Sequence, residues 1–410
     1  MTAKTLPTGK IMGDAFGRPT RLLQIFSRYR DYGGEEGSVY RIGDLLSEKY
    51  DIGYLIYTSK ELHSSGFLNK GMGVLKAFRN WEVLQEITKY QQLGNYDYWL
   101  VHNVFPAMSP AVYSLAKKLK VKVIQYLHNY RMGCVNGFYL NHGQPCQRCS
   151  SGNFWPAFQT ACWHDDRIQS GVMGGIMANA RRKGILDVPH HWIAISEAQK
   201  TEHVLMGIPK EKITVIPHFL IPADNTTPYP EHGDVLFIGR LSAEKGVDRL
   251  LEAWKYVQDS GRNFWIVGNG PEREKLEKMV STLSLKNVHF TGFLEVSQQR
   301  EIWAKAACSV VPSIWKEPFG MVVLEAWAQG RPVIANRIGG LTEIINDGGD
   351  GFLVSSDDPH EMARAILRVL DNPKDSGLMG DSGRERLLRE FSQNVWLEKF
   401  KTLVNPYISS

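Results

Sequence analysis

The chain contains no long apolar run, and its first twenty residues do not resemble a signal peptide. No stretch reaches the roughly 18 consecutive apolar residues that a membrane-spanning helix requires, and residues 1–20 lack the apolar centre of a signal peptide. We therefore expect a cytosolic protein. No repeat at a solenoid period occurs either. The 410 residues are 43% hydrophobic and 22% charged, which is ordinary globular composition, and the length suits two large domains.

Acidic residues are missing from residues 101–150, which contain six Lys or Arg side chains. Residues 1–200 carry 24 basic and 15 acidic side chains, a net charge of +9, whereas residues 201–410 carry 24 and 28, a net charge of −4. A basic half favours an anionic partner such as lipid head groups, an acidic acceptor or nucleic acid. A solvated basic face explains the same excess.

Four lysines cluster in KKLKVKV, at the end of a predicted helix and the start of a strand: Lys117, Lys118, Lys120 and Lys122. Lysines near an anionic membrane surface each add about 1 kcal/mol of attraction. The cluster is therefore compatible with peripheral docking at the inner face of a membrane. Capping of the helix end by side chains that face water explains it equally well.

Two common nucleotide-binding signatures are absent. No Asp-x-Asp occurs anywhere in the chain, so the usual carboxylate pair that holds a divalent metal against a diphosphate is missing. The nearest approach to Gly-x-Gly-x-x-Gly is GNGPER (268–273), which ends in arginine and so disfavours a nicotinamide-dependent dehydrogenase. Instead, Arg240 and Lys245 follow a predicted strand that ends at Gly239. Two fixed cations at this position can neutralise a diphosphate leaving group.

Both halves of the chain alternate apolar strands with helical segments. Strands are predicted in the first half at 21–26, 50–57, 96–103, 121–129 and from 192, and in the second half in DVLFIGR, NFWIVG, VHFTG, ACSVVPS and PVIAN. This alternation predicts an α/β fold with parallel sheets.

We expect two Rossmann-like doubly wound domains, because the pattern is interrupted by a proline-rich segment and then restarts. The first domain is predicted at 22–215, the linker at 216–230 and the second domain at 231–390. Ligands of such folds bind at the carboxyl ends of the strands. The cleft between the two domains is therefore the expected site.

The stretch EPFGMVVLEAWAQG (317–330) places Glu317 and Glu325 eight positions apart. Pro318 and Gly320 predict that Glu317 lies in a loop and Glu325 in the helix that follows, with Gly330 at its end. The helix N-terminus would then have free main-chain N–H groups that can bind an anion. These groups belong to Phe319, Gly320, Met321 and Val322. An anion would bind at these N–H groups, and the two carboxylates would accept hydrogen bonds from hydroxyl groups on either side of it. A nucleotide-diphosphate sugar has this arrangement, with a phosphate centre and hydroxyl groups at both ends.

These stretches together resemble the retaining glycosyltransferases of family four. The resemblance rests on EPFG with its glutamate pair, GRLSAEKG, IVGNGPE (266–272), FTGFL and GGLTEII, with Gly33-Gly34 after the first strand and His128 in YLHNYR. It extends from about residue 22 to about residue 400. It implies the GT-B fold, in which two Rossmann-like domains face a central cleft. The acceptor would bind mainly to the first domain and the donor to the second, and residues 391–410 would cross back to the first.

The resemblance also implies roles for residues of the donor side. Arg240 and Lys245 would hold the diphosphate, and Glu325 would accept the ribose hydroxyls. Glu317 would contact hydroxyls of the transferred sugar, helped by the N–H groups of Phe319 and Gly320.

Two residues of the first half receive roles from the same resemblance. Gly34 would let the backbone approach the phosphate, since a side chain would collide there. His128 would contact the sugar near its reacting face. His218 stands where the family often has asparagine after proline, and we assign it no role.

The implied activity is hexosyl transfer from a nucleotide-diphosphate sugar to an acceptor hydroxyl, in glycan, polysaccharide or glycolipid biosynthesis. Retention of configuration is implied without an established nucleophile, and no catalytic base is named. No cofactor is expected for catalysis. The partners would be the donor and a sugar, glycan or lipid-linked acceptor, and no nucleic acid. The alternatives are a GT-B sugar phosphorylase, an epimerase and a binding protein that kept the fold without catalysis.

Four of the five cysteines lie within 29 residues: Cys134, Cys146, Cys149 and Cys162. The second and third form a CxxC pair in an irregular, glycine- and aromatic-rich stretch that needs a staple or a partner to be ordered. The spacing is compatible with a structural zinc site, with free thiols or with a disulfide, and a cytosolic location disfavours stable disulfides. His142 and His164 are further candidate ligands or surface residues. Cys308, in a predicted strand, is expected in the core.

Overall fold

The computed structural model describes residues 19–28, 34–58, 67–222 and 227–404, and every structural statement below concerns these residues. The first half contains eight strands: β1 (Arg21–Arg28), β2 (Asp51–Thr58), β3 (Tyr98–Asn103), β4 (Lys122–Tyr126), β5 (Leu140–Asn141), β6 (Gln144–Pro145), β7 (His191–Ala194) and β8 (Ile213–Val215). Its helices are α1 (Gly34–Ser47), α2 (Phe67–Phe78), α3 (Trp81–Gly94), α4 (Ala111–Leu119), α5 (Trp155–Thr160), α6 (Arg167–Arg182) and α7 (Glu197–Leu205).

The second half repeats the alternation of strand and helix. Its strands are β9 (Asp234–Ile238), β10 (Phe264–Val267), β11 (Val288–Gly292), β12 (Ala306–Val311), β13 (Val333–Asn336) and β14 (Gly351–Val354). Its helices are α8 (Val247–Trp254), α9 (Arg273–Thr282), α10 (Val296–Lys305), α11 (Met321–Ala328), α12 (Leu341–Ile344), α13 (Pro359–Asp371), α14 (Pro373–Glu390) and α15 (Gln393–Val404).

Two six-stranded parallel sheets organise the chain, in the orders β2-β1-β3-β4-β7-β8 and β11-β10-β9-β12-β13-β14. All residues of β3 and β12 are buried, as expected for parallel strands that helices cover on both faces. The predicted α/β architecture with two doubly wound sheets is confirmed. The strand pattern missed β8 and β14, which are edge strands of three and four residues.

The last described helix, α15, lies against the first half of the molecule. The ring of Phe400 contacts that of Tyr50 edge-on at 6.0 Å, and the Tyr98 hydroxyl donates to the carbonyl of Val404 over 3.2 Å. This is the direction of return that the resemblance implied for 391–410, of which 405–410 lie outside the described residues. The domain boundaries near 215, 230 and 390 stay predictions.

The proline-rich segment is packed rather than loose where it leaves the first sheet. Ile216 and Phe219 are buried in a cluster of apolar residues drawn from both sheets, and His218 between them is 5% exposed. A residue that the sequence placed in a linker is therefore buried, with its ring against Tyr126 of the first half and Phe319 of the second. None of the described helices is both long and apolar enough to cross a membrane.

Candidate functional site

Lys245 and Glu317 form an ion pair between two loops of the second sheet. Lys245 ends a short 3₁₀ turn that follows β9, and Glu317 lies in the loop that follows β12. The Lys245 Nζ donates to the Glu317 Oε2 over 2.8 Å, and Glu317 is only 6% exposed. Arg240 is exposed in the same loop as Lys245. The structure thus brings two of the predicted donor-site charges into direct contact.

Three donors converge on one oxygen of Glu317. Besides Lys245, the Ser313 hydroxyl and the Trp315 indole N–H donate to Oε2, each over 2.9 Å. The Lys245 ammonium also lies 5.5 Å from the centre of the Trp315 ring. Because charge-assisted hydrogen bonds fix geometry as well as charge, the carboxylate is held in place before any ligand binds. The predicted loop position of Glu317 is confirmed, and Trp315 is a supporting residue that sequence reasoning missed.

A glycine pair makes the backbone packing around Glu317 possible. The Gly340 N–H donates to the carbonyl of Glu317 over 2.7 Å. A Cβ at Gly339, where φ is +56°, would lie 2.4 Å from the same carbonyl oxygen, and a Cβ at Gly340 would lie equally close to the carbonyl of Pro318. No real side chain tolerates such contacts, so the packing around Glu317 requires glycine at both of the first two positions of the motif GGLTEII.

Helix α11 begins at the predicted place, directly after Gly320. Gly320 has φ of +101°, and a Cβ there would lie 2.7 Å from the Leu341 side chain. No side chain caps this N-terminus, which is the arrangement that leaves main-chain N–H groups available to an anion. The predicted amides from Phe319 to Val322 lie at this helix start. Gly330 follows the helix with φ of +66°, as predicted.

Glu325 is the fifth residue of α11 and faces the first half of the molecule. Burial raises the pKa of its carboxyl group, and the positive charge of Arg41 on α1 acts in the opposite direction. Arg41 therefore stands close enough to act on a residue of the other sheet. Sequence reasoning assigned no role to Arg41, which looked like one of many charges on an amphipathic helix.

His128 belongs to a stack of rings on the opposite wall of the cleft. Its Nε2 lies 2.9 Å from Nδ1 of His102, and its ring stacks on Tyr126 and His218 with centroids 4.8 and 5.7 Å away. His218 in turn meets the ring of Phe319 edge-on at 5.4 Å. The stack therefore runs from the ends of β3 and β4 to the loop that carries Glu317.

All three histidines of this stack are neutral at pH 7. Burial lowers the pKa of His128 to about 3 and the pKa values of His102 and His218 well below their ordinary range. Neutral imidazoles offer hydrogen bonds without charge. Sequence reasoning singled out only His128. A polar residue at the carboxyl end of a predicted strand was the available signal for His102, and the departure after Pro217 was the signal for His218.

A carboxyl group with a shifted pKa lies at the start of α1. Burial raises the pKa of Glu35 to about 7, and the charge of Arg131 and a hydrogen bond from Asn129 (3.2 Å) oppose that increase. Gly34 beside it is exposed, and a Cβ there would meet no atom within 4 Å. The protein itself therefore does not demand glycine at 34, and its predicted role toward a phosphate stays a prediction. Gly33 lies outside the described residues.

The loop of Glu317 is seated between the two halves. The Ser196 hydroxyl donates to the carbonyl of Pro318 over 2.7 Å, and Lys316 forms an ion pair with Glu202 on α7. The Glu343 carboxylate accepts hydrogen bonds from the first N–H groups of α7, where negative charge is favoured. A cavity of about 320 Å³ lies nearby, lined from both halves by residues that include Phe319 and Glu343. This cavity lies between the halves, but of the predicted site residues only Phe319 lines it, and the cleft as the ligand site stays a prediction.

The four clustered cysteines, Cys134, Cys146, Cys149 and Cys162, line one small cavity. All are unpaired thiols. Burial raises the pKa of Cys149 to about 12 and that of Cys162 to about 11, and the neighbouring cysteines add to both increases. In the described part of the chain, no three His, Cys, Asp or Glu side chains are arranged as a formed metal site. Cys308 is fully buried in β12, as predicted.

The two candidate histidine ligands do not line that cavity. His142 is hydrogen-bonded to the carbonyl of Thr160 over 3.1 Å, and the ring of His164 meets Trp163 edge-on at 5.4 Å. The cavity wall contains neither residue. If the loop binds a metal ion, these histidines are not placed as its ligands.

Residues 224–386 match the family model described as group 1 glycosyl transferases. Among curated relatives, an uncharacterized glycosyltransferase of Methanocaldococcus jannaschii is 35% identical over 150 residues, which is 37% of this chain and 42% of the relative. The alpha-D-kanosaminyltransferase of Streptomyces kanamyceticus is 36% identical over 34% of this chain and 37% of its own length. The chain thus aligns with less than half the length of these relatives. The second half is similar to group 1 glycosyltransferases.

Solved structures align over nearly the whole chain at low sequence identity. Sucrose-phosphate synthase from Thermosynechococcus elongatus has a TM-score of 0.68 and 20% identity, covering 96% of this chain and 100% of its own. Anabaena HepE in complex with UDP and glucose has a TM-score of 0.65 and 17% identity, covering 94% and 99%. These likenesses, with the two parallel sheets, show the GT-B fold that the resemblance predicted.

Proposed function

We propose that this protein transfers a sugar from a nucleotide-diphosphate donor to an acceptor hydroxyl with retention of configuration, as a hexosyltransferase of glycan, polysaccharide or glycolipid assembly. One observation carries the proposal. Lys245 and the buried carboxylate of Glu317 form a 2.8 Å ion pair beside the uncapped start of α11. This places a cation, a hydroxyl acceptor and free N–H groups at one end of the second sheet, where a diphosphate sugar needs all three.

The donor's diphosphate would bind the Lys245 ammonium group, which pairs with Glu317 in the free protein. In the free protein the ammonium is neutralised by Glu317, and an incoming phosphate offers it a second anionic partner. Arg240 in the same loop and the N–H groups at Gly320 would share the negative charge as the phosphate leaves, which is when electrostatic stabilisation matters most. Glu317, still held by Ser313 and Trp315, would accept hydroxyl hydrogen bonds from the sugar.

His128 would contact the sugar as a neutral group. A histidine whose burial lowers its pKa to about 3 is a weak base at pH 7, far from the match between pKa and pH that general base catalysis requires. We therefore propose that the leaving phosphate takes the acceptor's proton on the face that it vacates. Catalysis is then mainly positioning and charge stabilisation around an oxocarbenium-like transition state. Glu325 would accept the ribose hydroxyls.

The test is a screen of nucleotide-diphosphate sugars by thermal shift, followed by product analysis. UDP-sugars come first, because the HepE structure was solved with UDP and glucose. One donor should raise the melting temperature of the wild type more than that of Lys245→Ala, and NMR of the glycosylated product should show the donor's anomeric configuration. Lys286→Ala, an exposed lysine far along the chain from this loop, is the matched control.

Three results would contradict the proposal. An inverted product would remove the retaining mechanism, and release of a sugar phosphate when inorganic phosphate is supplied would favour a phosphorylase. Binding without any product across sugar, glycan and lipid-linked acceptors would favour a binding protein. The family match of 224–386 supports donor use by the second half, whereas the acceptor depends on the first half, which lies outside that match.

A further inference from the structure

The segment from Asn129 to Trp163 has little regular structure to hold it. It contains the two-residue strands β5 and β6 and the six-residue helix α5, and the rest is turns and loop. A connection of this length inside a compact domain needs a constraint of its own. Its core is the cavity between the four cysteines.

That cavity is suited to one ion. Its volume is about 10 Å³, close to the least space that one water-sized particle occupies. Four thiols from three points of the loop surround it, and two of them, Cys146 and Cys149, are separated by only two residues. No carboxylate or imidazole lines it, and its one charged residue is Arg148. The wall therefore offers four sulfur ligands and one cation, and its side-chain oxygen atoms belong to uncharged Asn, Thr and Tyr residues rather than to the carboxylates that favour a harder metal.

We propose that Cys134, Cys146, Cys149 and Cys162 bind one structural zinc ion. Four thiolates in a tetrahedron are a common structural zinc site, with Zn–S distances of about 2.3 Å. Binding replaces four S–H protons, which pass to solvent, by four Zn–S bonds, and neither zinc nor sulfur changes oxidation state. The resulting centre carries a net charge of −2, and the Arg148 guanidinium is placed to offset part of it.

Three of the sulfurs must exchange a present partner for the ion. The Cys134 thiol donates to the Asn136 side-chain oxygen over 3.0 Å, Cys146 contacts the Arg148 side chain, and Cys162 is hydrogen-bonded to Thr160. This agrees with the finding that no three ligands stand ready in the described residues. A rotation about the Cα–Cβ bond is a small change beside the favourable free energy of zinc binding to four thiolates.

The zinc-binding loop supports the loop that carries Glu317. The ring of Phe138 meets Trp315 edge-on at 5.2 Å, and Trp315 donates to Glu317. Gln147, inside the CxxC pair, donates to Glu202 over 2.7 Å. Glu202 is the partner of Lys316. Zinc would thus order two contacts that position the carboxylate of the proposed donor site.

The experiment measures the metal directly. Protein purified without chelators should contain about one zinc per chain by elemental analysis, and Cys149→Ser and Cys162→Ser should each lose it. Cys308→Ser and His142→Ala should retain it, since neither residue lines the cavity. A mercurial reagent should release the zinc while it titrates four thiols in the wild type. This release keeps the test valid if a serine variant fails to fold.

Two outcomes would overturn the zinc proposal. One is wild-type protein that contains no zinc and does not take it up from solution. The other is denatured, unreduced protein in which the clustered thiols are missing from titration because they form disulfides. Zinc content is independent of the proposed sugar transfer, so the two can fail separately. If the protein both binds zinc and transfers a sugar, removal of the zinc should also lower turnover with the preferred donor. Turnover that is unchanged after zinc removal would contradict the proposed link through Trp315.

Discussion

The two walls of the cleft differ in charge and in how the chain builds them. The wall from the second sheet carries Lys245, Glu317 and Arg240 on loops after strands, with an ion pair at its centre. The wall from the first sheet presents His128 in a stack of rings whose imidazoles are all neutral. A diphosphate sugar is itself divided in this way, into an anionic leaving group and a neutral ring. Each wall has the chemistry of one part.

The difference extends to where the residues come from. The charged wall is built from two short stretches, one with Arg240 and Lys245 and one with Glu317, which lie about 70 residues apart but both fall inside the family match of 224–386. The neutral wall joins His102, His128 and His218 from three distant segments. A local motif reveals the first wall, whereas the second exists only after β3, β4 and the following segment come together.

Removing a cation from the charged wall should have the largest effect. Lys245→Ala and Arg240→Ala should each lower turnover about 10²–10³-fold, or 2.7–4 kcal/mol, because one preorganised group at a developing charge has this scale. Donor affinity should fall less, since the charge matters most as the phosphate leaves. Steady-state kinetics beside Lys286→Ala check this. Unchanged turnover in both variants would remove these residues from the site.

The neutral histidines should make the free energy of unfolding decrease as the pH falls. His102 is buried with a pKa well below its ordinary range, so between that value and about 6.5 the unfolded chain binds a proton that the folded chain does not. Stability then falls as pH decreases, by up to about 1.4 kcal/mol per pH unit for each such histidine. His102→Phe should flatten this fall, measured as the difference in unfolding free energy from wild type between pH 7 and 5.

The carboxyl group of Glu35 should change the pH dependence of stability in the direction opposite to His102. Glu35, with its pKa raised to about 7, contributes stability that is present at low pH and lost as pH rises toward 7, which is the opposite sign. Glu35→Gln should therefore steepen the net loss on acidification, while His102→Phe reduces it. Parallel pH curves for wild type and His102→Phe would mean that His102 takes up its proton over the same pH range in the folded and the unfolded chain, and the neutral wall would have to be abandoned.

The basic excess of the first half should have the smallest effect for each residue. The histidines of the neutral wall do not contribute to the net charge of +9 on residues 1–200. The four clustered lysines do contribute, and they are exposed at the end of α4 and the start of β4. If they dock to an anionic membrane to reach a lipid-linked acceptor, replacing one by glutamine should weaken vesicle binding by about 1 kcal/mol. Co-sedimentation at low and moderate salt measures this. Absence of sedimentation at low salt would favour an acceptor in solution.

Much of the second half could be predicted from the sequence. The positions of Glu317 before α11 and Glu325 inside it follow from proline, glycine and helical geometry, which act within a few residues. The alternation of strands and helices likewise predicted both parallel sheets, because apolar runs bounded by turn residues leave a clear pattern. The edge strands β8 and β14 were not recognised from that pattern.

The sequence by itself determined the α/β class, the helix start at Gly320 and the residue types of the charged wall, because each depends on neighbours along the chain. Only the tertiary structure decided that Lys245 pairs with Glu317, that His102 and His218 join His128, and that four cysteines share one cavity. These contacts link residues tens of positions apart. Their partners are chosen by how sheets and loops pack, and the burial that lowers a histidine pKa or raises a carboxyl pKa exists only after that packing.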